Sequence, residues 1–358
     1  ALIDDGTCLY LGCTDPYADN YDLQATNDDG SCEYTVAPVY GTVLLDNETN
    51  HSDINIEFFP ISGSSQIDTV QTDDTGAYFA GLSPGMYVVN IFKEGYIPFT
   101  MPGEFAFFGN TQLDTYTMVQ GIVQEISGTL DGNQRWTSAY QYRITDNVLV
   151  EPEDTLIIDP GVEILFMDDF EFNVTGVLQA NGTNQDSIRF TSGRALKNPG
   201  DWHAIKVRNN SYISHTIIEY ANEALILYGG EDTLMVDAST SRHNSGWGII
   251  GDGGTIIING CDIHDNGGGI AQFDTQLSDI SNNQIYNNSG EGIYFYQFKS
   301  AEIEGNYLQN NKHSDIKFLT YNNWCSYMDN FIINENIFED DSDNEFLSYT
   351  HFNININF

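Results

Sequence analysis

Basic residues are scarce: 12 Lys and Arg stand against 52 Asp and Glu in 358 residues, a formal net charge of −40. A field of that sign repels nucleic acid and anionic membranes and disfavours polyanionic substrates such as acidic polysaccharides. Divalent cations are its natural counter-ligands. Long apolar runs are also missing. None approaches the roughly 18 residues of a spanning helix, and Glu163 already interrupts Val162–Met167, so membrane insertion is not expected. The chain starts on Ala1 without a secretory leader, which predicts processing at its start. There are five cysteines, of which Cys8, Cys13 and Cys32 crowd into the first 32 residues while Cys261 and Cys325 stand alone. Clustered cysteines in an Asp-rich segment predict an oxidised, disulfide-stapled module, and hence a secreted or extracellular cell-surface protein. No Gly-rich phosphate loop, nucleophile elbow or His-x-x-His spacing is present. Charged residues make up only 18% against 41% hydrophobic, which argues for a folded chain.

Residues 1–36 form one compositional block, with Asp4-Asp5-Gly6-Thr7-Cys8 returning as Asp28-Asp29-Gly30-Ser31-Cys32, 24 residues from Cys8 to Cys32. So short a segment buries no core of its own and must be held by disulfides and metal. Gly12-Cys13-Thr14-Asp15-Pro16, Asn20-Tyr21-Asp22 and Ala25-Thr26 complete the pattern. It resembles the Cys/Asp repeats of secreted Bacteroidetes proteins and, more loosely, calcium-binding thrombospondin type 3 repeats. Leu23 stands where the repeat usually has Pro. The resemblance implies a Cys13–Cys32 disulfide, which leaves Cys8 for an upstream repeat; a Cys8–Cys13 link between repeats is the alternative. Asp15, Asn20, Asp22, Asn27, Asp28 and Asp29 supply the hard oxygens that Ca2+ takes six to eight at a time. The alternative is a solvated acidic turn held by disulfide alone. Asp4 and Asp5 would belong to a preceding site.

Residues 37–119 alternate short β-type runs with Asp/Gly and Pro/Gly turns, including Ile54–Phe58, Thr72–Phe79, Gly81–Val89 and Gly95-Tyr96. They predict a small β-sandwich. The order G-x-V, TDxxGxYxF, GLxPGxY, GY resembles the carboxypeptidase regulatory-like domain, which implies a prealbumin-like spacer or docking module without catalysis.

Residues 120–358 carry a repeat. The column Ser239, Cys261, Asn283, Asn306, Asn330 recurs at intervals of 22, 22, 23 and 24. The columns Ser241, Ile263, Ile285, Leu308, Ile332 and Val236, Ile258, Ile280, Ile303, Tyr327 keep its register, as does Asn244, Asn266, Asn288, Asn311, which breaks at Glu335. A period of 22–24 with three short strands per repeat predicts an all-β right-handed parallel β-helix, its coils roughly 4.8 Å apart. Leucine-rich repeats share the period but not the Leu-x-x-Leu-x-Leu skeleton. About ten coils are expected, roughly 45–50 Å of stack at that spacing. Together with Ile158–Val162, Leu178–Thr183, Ser187–Ser192 and Ile217–Ala221, the region resembles the parallel β-helix repeats of secreted Bacteroidetes proteins. Cys261 and Cys325 fall three coils apart, roughly 14 Å, beyond disulfide reach, and are expected as buried thiols.

Chemistry on this helix has one focus. An outward column reads Arg242, His264, Tyr286, Gln309 beside His243, Asp265, Asn287, Asn310, so a His–Asp–Arg group sits on adjacent coils. A lyase would want a base beside a carboxylate with calcium; a glycosidase would want two facing carboxylates, for which Asp262, Asp265 and Glu219 offer no distinguishing pattern. Trp202-His203 is expected to pack. Tyr294, Tyr296 and Phe298 alternate, giving one aromatic face that would stack on neutral sugars, on a protein, or within the core. The Bacteroidetes resemblance also implies O-glycans on Asp-Ser/Thr before an apolar residue, here Thr69, Thr155, Ser187 and Thr233. The whole predicts a structural or adhesive surface protein, a segment of an adhesin or a filament or layer subunit, whose partners are other copies, other surface proteins or neutral glycans. A carbohydrate-active enzyme and a glycan-binding module are the alternatives. The alternating end, Phe352–Phe358, is expected to pair with a following segment or subunit.

Overall fold

The computed structural model describes residues 10–14, 18–33, 36–61, 67–101, 103–230, 232–319, 330–339, 346–349 and 356–357. Cys8, Asp15 and Cys325 lie outside them. The chain divides into two compact units, residues 1–122 and 123–358.

In the first unit, a parallel two-residue pairing of Leu11–Gly12 with Asn27–Asp28 accompanies a Cys13–Cys32 disulfide. Beyond it, Ala37–Leu45 pairs with Ala77–Leu82, Thr111–Gln112 and Tyr116–Met118. A second sheet runs through Asp68–Gln71, Asn55–Pro60, Gly85–Phe92 and Phe99–Thr100, with Phe105–Phe107 also pairing with Gly85–Phe92. Val39, Val43 and Ala80 from one sheet meet Ile56, Phe58, Val89 and Phe107 from the other in one apolar core. The turn between strands is set by Asp73, whose Oδ1 accepts from the Thr75 and Ala77 amides and the Thr75 hydroxyl. Gly76 then turns at φ 84°, where a side chain would strike the Val43 carbonyl.

The second unit is a right-handed parallel β-helix, its strands forming one continuous parallel ladder. Three inward columns fill it. Ile158, Ala180, Ile213, Val236, Ile258, Ile280, Ile303 and Ile333 stack on one face. Phe172, Ile205, Leu225, Ile249, Ile270, Ile293 and Ile316 stack on the second. Ile164, Phe190, Ile218, Ser241, Ile263, Ile285 and Leu308 stack on the third. Alternating side chains put these residues inside and their neighbours on solvent.

Trp136 precedes Ile158 and Ile356 follows Ile333 in the first column, so ten strands stack there, near the expected ten coils, but the repeat is irregular at two places. Phe172 pairs with Ile205, 33 residues on, and Ile303 with Ile333, 30 on. In the first of these the extra length is residues 193–201, which lie outside the strands. The second shifts the last register: Asn336, Phe338 and Ile333 occupy the columns assigned to Asn330, Ile332 and Tyr327, while Asn330 pairs with Ser300.

Corners repeat with the coils. His215, Ala238, Gly260, Asn282, Gly305 and Glu335 share a left-handed conformation at one corner; Tyr220, His243, Asp265, Asn287 and Asn310 do so at another. Immediately after each comes a buried amide stack. Asn288 Oδ1 accepts from the Asn266 amide at 3.1 Å, and Asn288 Nδ2 donates to Ile263 O at 3.1 Å and to Asn311 Oδ1 at 2.9 Å. Asn283, Asn306 and Asn336 repeat the pattern at the other corner. Each Asn satisfies backbone groups freed by the bend, which is why the polar columns are inside.

Candidate functional site

On the third face the outward register runs Thr191, Glu219, Arg242, His264, Tyr286, Gln309. The expected Arg242–His264 juxtaposition is therefore present, and His264 Nδ1 lies 2.7 Å from Asp265 Oδ2 with its ring stacked on Tyr286 at 4.8 Å. Arg242, however, is committed. Its Nε and Nη2 donate to Glu219 Oε2 at 2.9 and 2.8 Å, while Arg189 Nη1 and the Thr191 hydroxyl donate to Oε1 at 2.7 and 3.0 Å. Burial alone would raise the Glu219 carboxyl, but the Arg189 and Arg242 charges overcome it and hold the group below its ordinary value. A carboxylate clamped in this way stays ionised and has no proton to give.

Loop 193–201 folds across the neighbouring coils. Arg194 pairs with Asp168 and Asp201, and Lys197 reaches Thr191 and the Tyr220 ring. Burial first of all pulls the Lys197 ammonium down, against the attraction of Glu219. Spacing did not reveal Arg189 and Thr191 as Glu219's partners, since they lie 30 and 28 residues from it by sequence, off the 22–24 period. The alternation of Ser187–Ser192 was the available sign. Trp202 packs as expected, fully buried, stacked 3.9 Å from Phe166 and donating to Glu219 O. Asp262 lies half-buried one column aside.

The aromatic strand is split. Tyr294 and Tyr296 face outward, half-buried, but Phe298 is in the core beside Phe295 and Phe318. Gln297, at φ 56°, inserts a corner between them and resets the alternation. Asp274 makes the same corner one coil earlier.

Of the residues expected to bind Ca2+, Asn20, Asp22, Asp28 and Asp29 use their side-chain oxygens on backbone amides, and Asp15 lies outside the described residues. Asp22, Asp28 and Asp29 each accept the amide two residues on, from Gln24, Gly30 and Ser31. The Ser31 hydroxyl, then its amide, holds the Asp29 carboxyl below its ordinary value. Asn20 receives the Glu33 amide and donates to Ser31 O. Asn27 lies on the short strand pairing with Leu11. Among the described residues no three His, Cys, Asp or Glu side chains converge as metal ligands, and no helix is long and apolar enough to cross a membrane. Of the hydroxyls in glycan-type motifs, Thr69 is exposed and Thr155, Ser187 and Thr233 are half-buried. Cys261 is a buried free thiol, pushed up to about 12 by burial.

Residues 182–357 match the family model for the right handed beta helix region. No curated protein matches the chain. Among solved structures, the A-modules of two mannuronan C-5 epimerases from Azotobacter vinelandii are similar at 13% identity and TM-score 0.41. One match covers 63% of this chain and 79% of the other, the second 69% and 82%. A type II cohesin–X-dockerin complex from Acetivibrio cellulolyticus is similar at 18% identity and TM-score 0.21, over 24% of this chain and 58% of that one, less than two-thirds of its length. At these values neither likeness carries an argument about what this chain does.

Proposed function

We propose that the chain is a non-catalytic, extracellular structural or adhesive protein, a segment of a secreted adhesin or a subunit of a cell-surface filament or layer. The observation that supports this is the state of Glu219. The most buried carboxylate on the outer third face is neutralised by two arginines and a hydroxyl, and the Arg242 of the sequence-derived His–Asp–Arg group is consumed in doing so. An acid–base site needs a group poised to exchange a proton, and a doubly clamped carboxylate resists it.

In this reading residues 37–119 are a spacer, and residues 13–32 take Ca2+ by releasing their turn-bound oxygens, with Asp15 completing the set. The net charge of −40 keeps it away from polyanions. One contact favours a second reading, a carbohydrate-active enzyme: His264 on Asp265 at 2.7 Å, beside Tyr286.

Incubation with a panel of neutral and uronate polysaccharides, followed by assays for new reducing ends, unsaturated uronates and epimerised residues, separates the two. Product from the wild type that His264→Ala abolishes would sink the structural reading. Light scattering with calcium and then with chelator tests assembly; a calcium-indifferent monomer would count against the filament form.

A further inference from the structure

The second outer face carries an apolar strip out of keeping with so acidic a surface. One outward column runs Ile226, Ile250, Ala271, Tyr294 and the next runs Tyr228, Asp252, Phe273, Tyr296. Trp247 stands at the corner beside them. Gly268, in register with it on the next coil, lacks the Cβ that would strike its ring, so the indole lies across that coil and comes within 5.9 Å of Tyr294. Phe273 lies 5.9 Å from Tyr294 and 6.3 Å from Tyr296. Ala271, between Ile250 and Tyr294 in its column, points outward yet has no exposed surface.

The strip is edged by oxygen. Glu223 Oε2 accepts the Trp247 amide at 2.6 Å and so fixes the start of that strand. At the opposite edge Asp252 and Asp274 are exposed. Beyond Tyr294, Lys317 pairs with Glu291 at 2.6 Å and holds its ammonium 5.7 Å from the Tyr294 ring.

We propose that Trp247, Phe273, Tyr294 and Tyr296 form a platform for a neutral, hydroxyl-rich glycan chain, with Glu223, Asp252 and Asp274 accepting its hydroxyl hydrogens. The chemistry selects that occupant. Sugar rings present flat C–H faces that suit aromatic planes on a pleated sheet, whereas an apolar peptide side chain needs a pocket to fill. Rim carboxylates and a net charge of −40 repel uronates, sulfates and phosphates but bond readily to hydroxyls. The inference rests on the non-catalytic reading and names its ligand class.

The test is affinity electrophoresis of the full chain in native gels containing xyloglucan, glucomannan or mixed-linkage β-glucan, with pull-down on microcrystalline cellulose and chitin and with alginate and pectate as anionic controls. At least one neutral glycan is expected to retard the wild type. Trp247→Ala with Tyr294→Ala should weaken that by about tenfold or more, at about 2- to 10-fold per ring. Tyr212→Ala, outward on another face, should not. Should the double variant fail to fold, Tyr296→Ala alone carries the test, with an expected loss of about 2- to 10-fold. Binding to none of the neutral glycans, retention unchanged in the ring variants, or preference for alginate or pectate overturns the proposal. Product formation by the wild type overturns the non-catalytic reading instead; no retention and no product overturns only the platform.

Discussion

Glu219→Gln gives the sharpest test of what holds the outer third face together. Glu219 is 3% exposed and takes four hydrogen bonds, three of them from Arg189 and Arg242. Glutamine keeps one acceptor and turns a donor towards a guanidinium. Removing one partner of a buried pair costs about 3–5 kcal/mol. The arginine side chains are 37% and 33% exposed and rehydrate in part, so about 2–4 kcal/mol is expected here. In a unit of this size that lowers the melting temperature by roughly 5–15 °C.

The pH dependence follows from the sign of the shift. Glu219 in the folded chain titrates below the ordinary value of an unfolded glutamate, so its contribution is fully present above that ordinary value and is lost as pH falls through the folded one. The assay is scanning calorimetry of wild type and variant from pH 7 downward. The gap should be full at neutral pH and close only in the acid range. Replacing Glu219, Arg189 and Arg242 together by Met should recover most of the loss. A gap below about 1 kcal/mol at neutral pH, or one that widens on acidification, refutes the clamp.

Three further outcomes are expected. Asn288→Ala breaks the buried amide stack, leaving the Asn266 amide, Ile263 O and Asn311 Oδ1 short of a partner, and should cost about 3–5 kcal/mol by chemical denaturation; a change under 1 kcal/mol would mean the stack is dispensable. Cys261 should resist alkylation in the native chain at pH 8 and react once denatured, its thiol being pushed up to about 12; rapid native labelling of this residue would contradict the burial. Reducing Cys13–Cys32, which closes a loop of sequence separation 19, should destabilise the N-terminal repeat by about 3 kcal/mol. Calcium should then protect it against proteolysis in the oxidised form, and identical cleavage with calcium and with chelator would argue against the metal site.

The β-helix was written in the sequence because each coil repeats one chemical problem. A corner needs a residue tolerant of positive φ and then a side chain to satisfy the freed backbone, so Asp265, Asn287 and Asn310 precede Asn266, Asn288 and Asn311 at fixed intervals. Inward Ile and Leu recur with them, and the columns could be read by eye from Ser239 to Asn311. Where coil length changes, periodicity loses its grip. The coil from Ile303 to Ile333 takes 30 residues, so Asn336 rather than Asn330 joins the amide stack. Side-chain direction within a strand failed for the same kind of reason, since a single residue at φ 56°, Gln297, sent Phe298 inward.

What only the tertiary structure decided is which charges meet. Arg242 could be placed beside His264 from spacing, but Arg189 and Glu219 are brought together by stacking across 30 residues, and that contact turned a catalytic-looking arginine into half of a clamp. Likewise Trp247 joins Tyr294 only because Gly268, on the coil between them, leaves room for the ring. Periodicity fixes the register along each column; the contacts between columns depend on loop excursions, corner geometry and the reach of long side chains, which no one-dimensional spacing encodes.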